Sequence, residues 1–326
     1  MPAASRPVSH PASRPLIVRL RNWVGDVTLG LPMLQRLADA GHDLQLIGKG
    51  WARELLAGHS WPVHVLPKTL RERVRLLRRL RHEALAVDPG FDQRINAVAL
   101  PYSFSSALDM RLAGLRAIGH AHEGRSLLLS RSVQREAGRH EIETYWQLGD
   151  ALLGVAAPVP AQIELRIATR HRARADEMLA AHGMASDFIV LCPFAGGTFE
   201  GQDKTWPDFA AFAARDLPAL NRRVVLCPGP GEAAVAAQFA GATVIADVDL
   251  GSYAALLQRA ALMISNDTGP GHMAAAVGTP LISVLGPSDP AQWRAWGPKV
   301  HIVQGAAGWP AREAVMATAR AVLAAI

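Results

Sequence analysis

Residues 265–289 read SNDTGPGHMAAAVGTPLISVLGPSD, and they lay out a strand, a turn, a helix and a second strand. The apolar run 261–264 before it is a buried strand, and Asn266 to Gly271 form a dense turn cluster. A helix follows, with Asp267 or Thr268 as its cap, Pro270 in its first turn and Gly278 as its stop. Its free amides point to the carboxyl end of the preceding strand, where a parallel α/β sheet binds ligands, and small residues let phosphate oxygens approach the backbone. His272, in the first turn, adds a side-chain donor. The alternative for these residues is an ordinary capped helix with a core histidine.

Outward from this stretch, strands alternate with helices, the pattern of parallel α/β domains. The expected strands are 16–20, 44–48, 63–66, 95–100 and 115–119 in the first half, and 188–192, 223–227, 243–246, 262–265 and 280–285 in the second. Two doubly wound sheets follow. A length of 326 residues also exceeds a usual single core. The expected organisation is a disordered tail over 1–14, a first domain over 15–157, a connector over 158–186, a second domain over 187–310 and a last helix over 311–326.

Half of the residues are hydrophobic, yet no apolar run approaches the roughly 18 residues a membrane-spanning helix requires. The tail, rich in Pro, Ser and Ala, has no apolar core of a secretory signal. Cys192 and Cys227 each end an apolar strand and read as buried thiols, with no disulfide framework. A soluble cytoplasmic protein is the expectation.

A second motif lies far upstream. Arg19-Leu20-Arg21-Asn22-Trp23-Val24-Gly25-Asp26-Val27 directly follows the first strand. Together the two motifs resemble glycosyltransferase family 9, the bacterial lipopolysaccharide heptosyltransferases, and Trp-Val-Gly-Asp is most similar to the heptosyltransferase II branch. The resemblance continues through the Ser-rich loop 100–107, His140-Glu141 with Tyr145, and Lys204-Thr205-Trp206-Pro207. It implies the glycosyltransferase B architecture, two Rossmann-like domains facing across a cleft, with the last helix crossing back to the first domain. It also implies inverting transfer of heptose from ADP-heptose to the lipopolysaccharide inner core, without a metal or other cofactor.

Inverting transfer requires a base for the acceptor hydroxyl, and the resemblance assigns the catalytic carboxylate to Asp26. Read from residues alone, Asp26 is equally an N-cap of the next helix, whose apolar stripe is Val27, Leu29, Leu31, Leu34 and Leu37. Pro32 predicts a kink or an irregular first turn there. On the donor side the resemblance implies Thr198, Lys204, Glu232, Asp267, Thr268, Gly269 and His272, with Lys204 on the diphosphate and Glu232 facing the ribose. Lys204 as a solvated loop residue and Glu232 as a first-turn acid are the alternatives.

On the acceptor side, Ser103 and Ser105 are candidates from the Ser-rich loop. The net charge of +6 is concentrated in 68–81, where Leu70, Val74, Leu77 and Leu80 share one helical face and the arginines take the other. Arg75, Arg78 and Arg79 are thus candidates for a lipid-anchored, anionic acceptor or the anionic inner face of the membrane, beside the reading of an ordinary solvated face. Nucleic acid is not expected, since no aromatics interleave with the arginines. Asp247-Val248-Asp249 reads as turn chemistry rather than a metal site, and His120 with His122 lacks completing ligands. A transferase of the same family using another nucleotide sugar or acceptor, a same-fold sugar-nucleotide epimerase and a non-catalytic binding protein remain open.

Overall fold

The structure is a computed structural model. It describes residues 14–194, 198–199, 201–286, 289–306 and 308–326, with backbone alone at 198–199 and 202–203. The expected tail, residues 1–13 of it, lies outside the described residues.

Six strands form the first sheet: β1 (Arg14–Arg19), β2 (His42–Gly48), β3 (Val63–Val65), β4 (Ala97–Ala99), β5 (Ala117–His120) and β6 (Arg131–Val133). The second contains β7 (Ile189–Cys192), β10 (Val224–Leu226), β11 (Thr243–Val244), β12 (Leu262–Ser265), β13 (Leu281–Leu285) and β14 (Val300–Gln304), and a small hairpin, β8 (Thr198–Phe199) with β9 (Gln202–Asp203), follows β7. Every pairing within the two large sheets is parallel. Their orders, β3-β2-β1-β4-β5-β6 and β11-β10-β7-β12-β13-β14, are the same doubly wound order, so each sheet reverses winding once, beside β1 and beside β7. Ligands of open parallel sheets bind outside the strand ends at such a reversal. The two motifs follow β1 and β12, strands that flank these two points.

The helices are α1 (Val24–Asp39), α2 (Ala52–Leu55), α3 (Leu70–Val87), α4 (Phe104–Leu112), α5 (Glu141–Leu153), α6 (Thr169–Ala181), α7 (Phe209–Arg215), α8 (Ala233–Ala236), α9 (Leu250–Arg259), α10 (Gly269–Val277), α11 (Pro290–Trp293) and α12 (Arg312–Ala324). Helices α3 and α4 help enclose a separate core with Ile17, Ile47, Val74, Leu77, Leu80 and Phe91. Helices α1 and α5 pack together, and α1 also abuts α10 of the second half. The connector straps onto that half: the Leu165 amide donates to the Ala276 carbonyl at 3.1 Å and Gln162 Nε2 to the Ala275 carbonyl at 2.7 Å.

Three expectations are corrected. The edge strands β6 and β14 were not anticipated; β6 is three residues with one apolar side chain, and β14, VHIVQ, has one buried residue in five. Helix α1 continues through Pro32 from a regular first turn, because its largely buried apolar length outweighs the cost of an interior proline, about 3 kcal/mol. Helix α12 packs on β12, β13 and β14 of the second sheet, through a buried face of Val315, Met316, Ala319 and Val322, rather than on the first domain.

Two histidines seal seams between the halves. His140 caps α5: its Nδ1 accepts the Ile142 amide at 3.3 Å, and Nε2–H donates to the Arg294 carbonyl at 2.9 Å. His59 Nε2 accepts the Arg166 amide at 3.3 Å while its ring stacks on Trp61. Burial pushes both down to about 4, assisted at His59 by the Arg166 charge and opposed at His140 by the Arg294 carbonyl. Because the folded values lie below the unfolded one near 6.5, the unfolded chain binds more protons between them. The stabilisation is therefore complete above pH 6.5 and is lost as pH falls toward 4. Urea titrations should show this loss, on the order of 3 kcal/mol per histidine at full titration. A His59→Asn/His140→Asn variant should have a flatter profile in that window; a wild-type slope would assign the acid sensitivity elsewhere.

Candidate active site

Between the halves lies a cleft of about 830 Å³. Asp26, Lys204, Glu232, Asp267, Thr268, Gly269 and His272 all line it. The side chain of Thr198 lies outside the described residues. Ser103 and Ser105 are exposed at the carboxyl end of β4, one strand over from β1, and do not line it. Arg75, Arg78 and Arg79 do not line it either: α3 packs on α4 and β1 within the separate core, and Arg78 donates to the Leu112 carbonyl while Arg79 pairs with Glu83. The same solvated face that made them legible as a basic stripe keeps them away from the cleft.

The two signature turns touch. A Cβ built on Gly25 would stand 2.8 Å from the His272 ring, and one on Gly269 would stand 2.8 Å from Val24 Cβ. Glycine at both positions lets the N-termini of α1 and α10 abut, so the positive ends of two helix dipoles converge on one part of the cleft. Helix α10 begins as its sequence predicts, with Thr268 at the N-cap, Pro270 in the first turn and Gly278 closing it in the left-handed region at φ +85°.

Asp26 is not the cap of α1. That position is Trp23, and Asp26 sits in the first turn with its carboxylate turned to side chains. Tyr145 Oη donates to Oδ1 at 2.7 Å and Arg21 Nε to the same oxygen at 3.2 Å. Oδ2 takes no hydrogen bond from any described residue, and the side chain is 11% exposed. Tyr145 is fully buried, and burial, then the Asp26 charge, raise its phenol well above the ordinary value, so it remains a donor. The guanidinium of Arg21 also lies over the Tyr102 ring at 4.4 Å. Tyr145 and Arg21 were not anticipated as site residues; the turn and helix that carry them were, but nothing in their spacing shows which side chain meets Asp26.

Across the cleft, Lys204 Nζ is 3.0 Å from Asp267 Oδ2, and His272 Nε2 is 3.8 Å from Asp267 Oδ1. Burial alone would raise the Asp267 pKa, but its contact with His272, then that with the Lys204 ammonium, hold it down to about 2. Asp267 is thus an anion that orients two donors at the mouth of α10. The lysine is positioned from behind by Trp206, buried against Phe209 and Phe212. The Trp206 amide donates to Asn266 Oδ1 at 2.9 Å, and Asn266 Nδ2 donates to the Pro193 carbonyl at 3.0 Å. Glu232 accepts the Gly229 amide at 2.7 Å. Cys192, Cys227, Tyr253, Val248 and Leu250 give the adjoining wall an apolar surface.

The signals set aside in the sequence resolve locally. Asp249 caps α9, accepting the Ser252 amide at 2.9 Å and its hydroxyl at 2.6 Å, and lies 3.4 Å from His171. His171 and Arg170 both hold Glu54 of the first half, at 2.8 Å and 2.6 Å, so this cluster is a clasp between the halves. His120 is buried and donates to the Thr144 carbonyl, whereas His122 is exposed beside Glu123.

If the glycine contact sets the spacing of the halves, Gly25→Ala should destabilise the protein by about 1–3 kcal/mol, the usual range for overpacking. Gly30→Ala, whose Cβ meets nothing nearer than 3.8 Å, should be neutral or stabilising. Thermal melts of the two variants check this, and equal melting temperatures would remove the constraint.

The glycosyltransferase family 9 (heptosyltransferase) profile matches residues 73–319. Lipopolysaccharide heptosyltransferase 3 of Escherichia coli is 37% identical over 126 residues, an alignment that spans 35% of this chain and 35% of that relative. Among solved structures, the E. coli ADP-heptose lps heptosyltransferase II superposes with a TM-score of 0.77 at 22% identity, covering 95% of this chain and 98% of that one. The E. coli heptosyltransferase WaaC with ADP superposes at 0.70 and 21%, covering 94% and 99%. These two likenesses establish the fold, glycosyltransferase B, and the profile match over most of the chain establishes the lineage: this chain belongs to glycosyltransferase family 9.

Proposed function

We propose that the protein transfers a heptosyl unit from ADP-heptose to the inner core of lipopolysaccharide, with inversion at the anomeric carbon. The observation that carries this reading is the juxtaposition of Asp26, with Oδ2 free of hydrogen bonds, and the α10 N-terminus bearing Lys204 and His272, in one cleft. Asp26 takes the proton of the acceptor hydroxyl as that oxygen bonds to the anomeric carbon; on the opposite side the bond from that carbon to the phosphate oxygen breaks. The charge arriving on the diphosphate meets the α10 amides, the Lys204 ammonium and the His272 ring, all oriented before reaction. Glu232 stands where a carboxylate accepts from ribose hydroxyls, and the apolar wall beside it suits a nucleobase. In this reading these cationic groups and amides stabilise the leaving group, without a metal. The acceptor is a lipid-anchored core oligosaccharide, approached from the side of β1 and β4 and reached on the cytoplasmic side of the membrane. Among the described residues no helix is long and apolar enough to cross a membrane.

Asp26→Asn tests the base directly. The amide keeps an acceptor for Tyr145 and Arg21 but cannot take a proton near neutral pH. Turnover, followed as acceptor-dependent ADP release, should fall about 10²–10⁴-fold while melting temperature and ADP affinity hold. Near-normal turnover in a stable Asn variant would remove Asp26 from the role, and ADP-heptose conversion that needs no acceptor would favour an epimerase.

Lys204→Ala should weaken ADP binding by about 1.5–3 kcal/mol, the scale of a charge-assisted hydrogen bond. Calorimetric titration reads this, and an unchanged affinity would leave Lys204 as a partner of Asp267 alone. Turnover should also survive EDTA, and a loss restored by magnesium or manganese would overturn the metal-free reading.

A further inference from the structure

Four of the large apolar side chains most open to solvent share one location. Trp23 is 66% exposed, Leu70 44%, Phe104 47% and Leu127 91%. Each opens the segment that follows a different strand of the first sheet: Trp23 caps α1 after β1, Leu70 begins α3 after β3, Phe104 begins α4 after β4, and Leu127 lies in the 3-10 turn 125–128 after β5. In a parallel sheet these segments all emerge at the same end. With strands about 4.8 Å apart, the four intervals from β3 to β5 set them along one edge of about 20 Å. A single exposed leucine means nothing; four on one edge do.

The charge on that edge is basic and free. Lys68 and Arg71, which flank Leu70, are exposed and form no ion pair with a described residue. Of the neighbouring acids, Glu72 is engaged in the Thr69 capping box, and Glu123 stands exposed beside His122. Farther along α3, Arg73 is paired with Asp109, Arg79 with Glu83 and Arg81 with Asp92, while Arg75 and Arg78, exposed and without an ion pair to a described residue, stand about 8 and 12 Å down the helix from Leu70. Apolar side chains standing out between unpaired cations are the complement of an anionic lipid interface, where the rings and branched chains enter the headgroup boundary and the cations remain at the phosphates.

We propose that this carboxyl edge of the first sheet, and not the basic flank of α3, docks on an anionic lipid bilayer. The proposal rests on the reading above for its purpose: Trp23 lines the cleft, three residues before Asp26, so a bilayer held at this edge presents an anchored acceptor to the carboxylate without extracting it from the lipid.

Flotation of the full chain with phosphatidylglycerol/phosphatidylcholine vesicles tests it, against phosphatidylcholine alone. Partition needs no turnover, so failure of docking and failure of the proposed activity are read separately. The wild type should float with the anionic vesicles only, less so as salt rises. Phe104→Ser/Leu127→Ser should lower its partition about tenfold, with an unchanged melting temperature and unchanged turnover on a lipid-free acceptor. Lys68→Glu/Arg71→Glu should lower it at least tenfold, at about fivefold per cation, whereas Arg75→Glu/Arg78→Glu on the flank should leave it within about twofold. The proposal is overturned if the wild type does not float, if the flank reversal matches the edge reversal, or if Phe104→Ser/Leu127→Ser dissociates a dimer while leaving partition intact.

Discussion

Two missing side chains hold the halves of this protein at their working distance. Without a Cβ at Gly25 and at Gly269, the first turns of α1 and α10 rest on each other, and the His272 ring and Val24 fill the space that methyl groups would take. Everything chemical in the cleft is referenced to that contact. Asp26 is one residue past Gly25, and Asp267 and His272 bracket Gly269, so a carboxylate and the amide end of a helix are set close together by backbone geometry rather than by long side chains. Converging helix N-termini would repel in the absence of negative charge. Asp26 and Asp267 supply it, each in or beside the first turn of its helix.

The two carboxylates are alike in sequence and unlike in surroundings. Asp267 is nine-tenths buried in its side chain and is held between two donors that keep it ionised far below neutrality. It serves as an orienting counter-ion, with Oδ2 on Lys204 and Oδ1 facing the His272 ring. Asp26 accepts both of its hydrogen bonds on one oxygen, one of them from a tyrosine that burial keeps protonated. The second oxygen is left for a proton. The chain thus distinguishes two roles for one residue type by how many lone pairs the protein itself consumes.

Much of the cleft was legible because its elements are local. A turn cluster between an apolar strand and a small-residue helix announces a helix N-terminus at a strand end wherever the chain goes next, and of the two caps it offers for α10 the chain uses Thr268, with Gly278 as the stop. What the sequence concealed is long-range. Tyr145 stands 119 positions from Asp26, and no periodicity links them. Trp206 and Asn266 meet because β7 and β12 are neighbours, which strand order alone decides. The arginines of α3 stand outside the cleft for a similar reason: their spacing establishes a polar helix face but not which side of the sheet that helix covers. Of the four edge strands, β3 and β11 were expected and β6 and β14 were not; β6 offers a single apolar residue to read.

The Trp206 indole donates its N–H to the Pro310 carbonyl at 3.1 Å, just ahead of the helix that closes the second sheet. The peptide that carries Lys204 is consequently bound through Asn266 to the turn that follows β12, and through Pro310 to the lead-in of α12. Sliding that loop would break buried hydrogen bonds at both anchors. The reach of the lysine is therefore set within the second half, and a change in the separation of the halves would leave it intact.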